Sequence, residues 1–124
     1  MNGLTKNDSE QIGFATACLF AEALNIDELH QWILLILESQ ADTPPYLLEL
    51  LEFSGPLFKI YKIIGFVPSW PGTQDEKLAL FGIAYKRGRE PFQCPLTREQ
   101  ALAKLEEFPN VRAVFSKMFS FIVL

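Results

Sequence analysis

The chain has few of the residues on which most enzymes and metal sites depend. It has one histidine, His30, and two cysteines, Cys18 and Cys94, that lie far apart in sequence. A serine or cysteine hydrolase would need His30 as its base, and a zinc site needs several closely spaced His or Cys ligands. The glycines match no phosphate-binding motif. These shortages predict a protein that is not an enzyme, with no catalytic residue, metal, cofactor or small-molecule substrate.

Long hydrophobic runs are also missing. The longest wholly apolar run, Trp32–Leu37, has six residues, whereas a membrane-spanning helix needs about 20. The N-terminal residues 1–8 are polar and lack the basic and apolar regions of a secretory signal. The sequence therefore predicts a soluble, cytoplasmic protein with no membrane partner.

Helix-start patterns recur along the chain. A capping box places Ser, Thr, Asn or Asp before the helix and Glu or Gln three residues later, so that each side chain bonds the other's backbone amide. Four capping-box spacings occur, and they begin at Asn7, Asn25, Thr73 and Thr97. A fifth helix start is Thr43 before Pro44, since proline suits the first helical position.

Helical spacing of apolar residues follows each start. Leu57–Ile64 has strand-like composition, but Lys59 and Lys62 recur at i,i+3, which favours a helix that ends at Gly65. The apolar tail Phe121–Leu124 predicts either a cover for the core or a short strand. The predicted helices span about residues 8–24, 26–39, 44–53, 57–64, 74–87, 98–107 and 111–119. We therefore predict an all-α fold, a single compact domain over residues 1–124 with six to seven short helices.

Charge is divided unevenly along the chain. Residues 1–56 hold nine acidic side chains and one basic one, whereas residues 57–124 hold ten basic and six acidic ones. A strongly acidic surface attracts basic partners and speeds their encounter. With no catalytic constellation beside it, this asymmetry predicts a function in binding.

The candidate binding residues are those acids that helix capping does not explain. Asp27 and Glu28 lie in a predicted first turn, where negative charge complements the helix dipole. Trp70, in a proline-bounded loop, is either a partner contact or a lid on the core. Asp75 and Glu76 follow that loop and are included as partner-binding residues, although they too fit a first turn. The main predicted set surrounds the connection between the second and third helices: Glu38, Asp42, Glu49 and Glu52.

Three segments span much of the middle of the chain: Pro44–Leu51, Leu57–Trp70 and Leu80–Gly88. They resemble small bacterial immunity proteins that are encoded beside polymorphic toxins, including those of contact-dependent growth inhibition systems. The resemblance is one of general character, without a diagnostic motif, and it assigns no residue. It implies a stoichiometric inhibitor whose partner is a cognate toxin, with a basic nuclease the expected class.

Two alternatives stay open at this stage. One is a non-catalytic regulatory or scaffold module, including a homodimer formed through the Phe-rich helices. The other is a helical nucleic-acid-binding domain that uses the basic C-terminal half, with Lys86, Arg87 and Arg89 as its densest cluster. An isoelectric point near 5.0 disfavours nucleic acid as the partner.

Overall fold

The computed structural model describes residues 3–124, and its class is all-α, as predicted. The described residues form seven α-helices and a 3-10 helix at Leu57–Lys59, and they contain no β-strand. The helix count agrees with the predicted six to seven. The helices are α1 (Glu10–Phe20), α2 (Ile26–Ser39), α3 (Tyr46–Leu51), α4 (Ile60–Ile64), α5 (Gln74–Lys86), α6 (Arg98–Glu107) and α7 (Pro109–Met118).

The chain divides into two compact units, and the predicted single domain stays a prediction. Unit 1 contains the described residues up to Leu19 together with Asn25–Pro71. Unit 2 contains Phe20–Leu24 together with Gly72–Leu124. The short segment Phe20–Leu24 therefore belongs to unit 2, although unit 1 holds the chain on both sides of it.

In unit 1, the apolar sides of α1 to α4 form the core. The hydroxyl of Tyr46, at the start of α3, is buried and donates a hydrogen bond to the carbonyl of Leu4. The Tyr46 ring also meets Phe66 edge to face at 5.9 Å. Together these contacts fix α3, which at six residues is too short to be stable alone. The largest fully buried side chains of this unit are Leu4, Ile12, Phe14, Leu29, Ile33, Leu47, Leu50 and Ile60.

In unit 2, α5 and α6 pack closely and α7 contacts both. A Cβ atom built on Gly82 of α5 would lie 2.4 Å from the carbonyl oxygen of Ala101 in α6. The absence of a side chain at Gly82 is therefore what permits this approach. On α7, the buried Phe115 packs edge-on against Phe119 at 5.0 Å.

Three of the four predicted capping boxes are confirmed, and the first is wrong. The side chains of Asn25, Thr73 and Thr97 each accept from the backbone amide three residues later, and their own backbone amides donate to the side chain of that residue. At the N-terminus, Thr5 and Asp8 instead pair their backbones at 2.9 and 3.1 Å. That tight turn delays α1 until Glu10, so Asn7 does not cap it.

The proline positions also differ from prediction in two places. We expected Thr43 and Pro44 to start α3, but the helix begins at Tyr46, with Pro45 at the cap. We expected the last helix to begin at about residue 111, but Pro109 is the first residue of α7. A proline lacks an amide proton and has a fixed φ, so it begins a helix as readily as it ends one.

The segment Leu57–Ile64 is helical, as predicted, and it begins as a 3-10 turn before α4. Gly65 ends α4 with φ 90°, a left-handed conformation that a residue with a side chain rarely adopts. The tail, residues 121–124, contains no strand among its described residues and is half-buried except at Val123.

Candidate functional site

The candidate site lies on α2 and α3 of unit 1. α2 begins at a complete capping box, in which the Asn25 side chain accepts from the Glu28 amide at 2.8 Å. The Glu28 carboxylate accepts from the Asn25 amide at 2.9 Å. From this start, α2 turns its apolar residues Leu29, Ile33 and Ile36 into the core, where they are buried. Glu28 is thus a structural acid, as its position predicted.

His30 joins α2 to α3. Its Nε2 donates to the carbonyl oxygen of Leu50 at 2.8 Å, so the early part of α2 lies beside the end of α3. His30 therefore holds a helix pair together, and the structure assigns this ring a positioning contact within the fold.

Both helices expose leucines on the sides that face away from the core. Leu34 and Leu35 of α2 are 48% and 42% exposed, and Leu48 of α3 is 60% exposed. On α2, Asp27, Gln31, Leu34 and Glu38 follow one another at helical spacing, and all four are exposed. On α3, Leu48 and Glu52 are one turn apart and both are exposed. We call these two solvent sides together the hairpin face.

The four predicted acids fall into two pairs on this hairpin. Glu38 and Asp42 lie at and just beyond the end of α2, whereas Glu49 and Glu52 lie at the end of α3, beside His30. Eight residues of α2 separate His30 from Glu38, which corresponds to about 12 Å along the helix axis. One pair of acids therefore lies near the end of α2, and the other lies near its early part, rather than all four at the connection between the two helices.

These four carboxylates are exposed and have no internal partner. Within residues 3–124, none of them forms an ion pair or a side-chain hydrogen bond. Residues 7–58 contain no lysine or arginine, so no cation of α2 or α3 can neutralise them. No ion pair within residues 3–124 therefore occupies these four carboxylates.

Trp70 is half-buried in unit 1. Its ring meets Phe14 edge to face at 4.9 Å, and the Ser69 amide donates to the Ser9 hydroxyl at 2.9 Å. A Cβ on Gly13 would come within 2.6 Å of the Trp70 backbone nitrogen, so the loop lies directly on α1. These contacts are those of the lid that the sequence offered as an alternative, and a partner-binding role for Trp70 stays a prediction.

Asp75 and Glu76 lie in unit 2 and have partners inside that unit. Lys104 forms an ion pair with Asp75 at 3.5 Å, and a second with Glu107 at the same distance. The Glu76 carboxylate accepts from the Thr73 amide at 2.9 Å and from the side-chain amide of Asn110. Both acids are thus used in joining α5 to α6 and α7, and their predicted binding role has no support from this geometry.

The Glu76 contacts predict how stability depends on pH. The backbone amide of Thr73, and then Asn110, stabilise the charged form and lower the pKa of Glu76 below its ordinary value of 4.5. A carboxylate with a lowered folded pKa adds stability above pH 4.5, and that stability is lost as the pH falls through the folded pKa. We therefore expect Glu76→Gln to unfold with a shallower loss of stability below pH 4.5 than the wild type.

Urea unfolding at a series of pH values from neutral to acid measures this effect. Asn110→Ala removes only one of the two hydrogen bonds and should reproduce part of it. Identical pH slopes for the wild type and Glu76→Gln would contradict the assignment.

The basic cluster of the C-terminal half is also used inside unit 2. Arg87 donates through Nη1 to the carbonyl of Ala23 at 2.8 Å, and Arg89 donates to that of Glu22 at 3.3 Å. The Glu22 carboxylate accepts in turn from the amide of Phe92. These contacts hold residues 20–24 against the end of α5. They give the arginines a structural task, which weakens the nucleic-acid alternative.

Two features bear on metal binding and on nucleophilic chemistry in the described part of the chain. Residues 3–124 hold no group of three or more His, Cys, Asp or Glu placed to bind a metal. Burial raises the pKa of the Cys18 thiol, which keeps it protonated and unsuited to be a nucleophile. None of the described helices is long and apolar enough to cross a membrane.

The sequence did not indicate the exposed leucines or the exposed ring of Phe92. Leu34 and Leu35 lie inside the apolar run Trp32–Leu37, and the spacing of residues 44–53 predicts that Leu48 faces inward. Leu48 is instead exposed, and Phe92 is 79% exposed in the loop that Glu22 holds.

No family model, curated protein or solved structure matches this chain.

Proposed function

We propose that this chain is a stoichiometric inhibitor, an immunity protein that binds and neutralises a cognate basic toxin, with a nuclease the expected class. The observation that carries the proposal is the hairpin face. It combines exposed leucines with carboxylates that form no ion pair within residues 3–124. Protein interfaces commonly have such an apolar centre with a charged rim.

The charge of unit 1 supports the same proposal. Its residues include eight acidic side chains and three lysines, whereas unit 2 has seven acidic and eight basic ones. A nuclease carries a basic surface because it holds a polyanion. An acidic binding surface therefore competes for the surface that the nuclease uses for its substrate, and inhibition requires no catalysis by this chain. The proposed compartment is the cytoplasm, where a nuclease toxin meets its substrate.

The alternatives have less support from the structure. Arg87 and Arg89, the centre of the proposed nucleic-acid surface, are held against backbone carbonyls of unit 2. A regulatory module with a basic, non-toxin partner would use the same hairpin face. It differs from the inhibitor in one respect, since it would give no protection against a toxin.

Co-expression with the product of the neighbouring reading frame tests the proposal directly. We expect this chain to restore growth of cells that express that product, and the two purified proteins to bind in equal amounts. Growth arrest that this chain does not relieve, together with no complex between the purified proteins, would overturn the inhibitor proposal.

Neutralising the four carboxylates should slow association with that toxin. Opposite charges steer encounter and raise association rates by about 10- to 1,000-fold at low salt. We expect a loss of at least about tenfold for the combined variant in stopped-flow measurements, shrinking as salt screens the charges. The variant combines Glu38→Gln, Asp42→Asn, Glu49→Gln and Glu52→Gln.

A matched control removes the same number of exposed carboxylates outside the hairpin face. If both variants slow association equally, net charge rather than this face controls the encounter. The control combines glutamine substitutions at Glu10, Glu90, Glu99 and Glu106.

A further inference from the structure

We infer that the hairpin face binds an amphipathic helix of the partner that carries apolar residues in its middle and lysine or arginine near both ends. This inference rests on the proposed function, because it describes the partner segment that the same face would receive. It goes further by fixing the shape and the charge order of that segment.

The length of the face comes from α2. Asp27 and Glu38 lie eleven residues apart on the exposed side, which corresponds to about 16 Å or three helical turns. Leu34 lies between them and is 48% exposed. An occupant therefore meets negative charge, then apolar surface, then negative charge along this helix.

The second side of the face comes from α3. Leu48 is 60% exposed, and Glu49 and Glu52 are exposed near it. The hydrogen bond from His30 to the Leu50 carbonyl places the end of α3 beside the early part of α2. Each of the two helices thus presents exposed leucine together with exposed carboxylates, the composition of surface to which an amphipathic helix binds in many complexes.

Charge decides which occupant fits. A second copy of this chain that met the first face to face would place two sets of carboxylates against each other, since residues 7–58 contain no lysine or arginine. Burying like charges together costs several kcal/mol. Nucleic acid and anionic membranes carry the same sign as the face and are repelled in the same way. A cationic, amphipathic protein segment is the occupant that satisfies both the leucines and the carboxylates.

Leucine-methyl NMR of the full-length protein, titrated with a synthetic peptide, tests this inference. The probe is a helix of about 14 residues, with leucines along one face and lysines near both ends. We expect shifts at the methyl groups of Leu34, Leu35 and Leu48, and an affinity that falls at least about tenfold when salt is raised from roughly 50 to 300 mM. A peptide of the same composition in scrambled order should bind at least about tenfold more weakly, because it offers no apolar stripe.

Paired variants distinguish peptide binding at the hairpin face from non-specific hydrophobic binding. Leu34→Ser with Leu48→Ser should remove most of the peptide binding and keep the fold, because both side chains are about half exposed or more. Val67→Ser is the control, since Val67 is 72% exposed in the same unit but lies outside the face. Equal losses for the two variants, or shifts centred on other leucines, would overturn the inference.

Sedimentation equilibrium of the wild type gives an independent result. We expect a monomer at low salt. A dimer that Leu34→Ser weakens would show that a second copy occupies the face, which also overturns the inference. A protein that binds the peptide at the face but gives no protection in the growth test would instead refute the proposed function and leave this inference standing.

Discussion

Replacing Gly82 with alanine should lower the free energy of unfolding by about 2 to 3 kcal/mol. Helix propensity alone favours the change by about 1 kcal/mol, since glycine is a poor residue inside a helix. Packing opposes it, because the new Cβ would lie 2.4 Å from the Ala101 carbonyl oxygen and 2.7 Å from the Leu105 Cβ. The clash is with a backbone atom of α6, which cannot rotate away. The helices must separate, and the packing that they lose outweighs the gain in propensity.

Urea unfolding measures the loss, with Gly55→Ala as the matched control. A Cβ on Gly55 would meet only the Phe53 ring, at 3.4 Å or more. The control should change stability by less than about 0.5 kcal/mol. A Gly82→Ala variant as stable as the wild type would show that α5 and α6 do not approach as closely as the structure has them.

Replacing Phe115 with alanine should cost about 3 to 5 kcal/mol, which is a large part of the total stability of a domain of this size. Phe115 is 0% exposed and packs against Phe119 at 5.0 Å, so its removal leaves an empty space in unit 2. The change also removes the favourable edge-to-face ring contact. Thermal and urea unfolding, followed by circular dichroism, measure the effect.

Two further substitutions give the comparison its control. Phe92→Ala removes the same side chain from the same unit at a site that is 79% exposed, and should change stability by less than about 0.5 kcal/mol. Phe115→Leu keeps much of the volume and should still fold, with a loss of about 1.5 kcal/mol. Similar losses for Phe115→Ala and Phe92→Ala would contradict the assignment of Phe115 to the core.

Local chemistry explains why much of the fold could be predicted. The capping residues Asn25, Thr73 and Thr97 bond atoms only three residues away, so three helix starts follow directly from the sequence. Asn7 has the same spacing but fails, because Thr5 and Asp8 pair their backbones and form another turn. The backbone pairing of Thr5 with Asp8 is also local. No propensity rule, however, says whether such a turn or a capping box will form.

The candidate site could be predicted only in part. The acidic residues stand out in the sequence because no lysine or arginine lies between positions 7 and 58. The exposed leucines do not, since Leu34 and Leu35 lie inside the apolar run Trp32–Leu37, whose other members are buried or half-buried. The position of His30 against the Leu50 carbonyl depends on two residues 20 apart in sequence. That contact places Glu49 near the early part of α2, away from Glu38 at its end. No rule of sequence spacing predicts such a contact.

The contacts of residues 20–24 have a consequence for how this protein can be made and exchanged. These residues supply the carbonyls that Arg87 and Arg89 bind and the carboxylate that accepts from the Phe92 amide. Unit 2 is therefore not one continuous stretch of sequence, and a gene fragment starting at Gly72 would encode it without one of its parts. Recombination of one continuous gene segment therefore cannot transfer the whole of unit 2, and nothing else, to another protein. A ribosome must likewise synthesise residues on both sides of Asn25–Pro71, the larger segment of unit 1, before unit 2 has all of its chain.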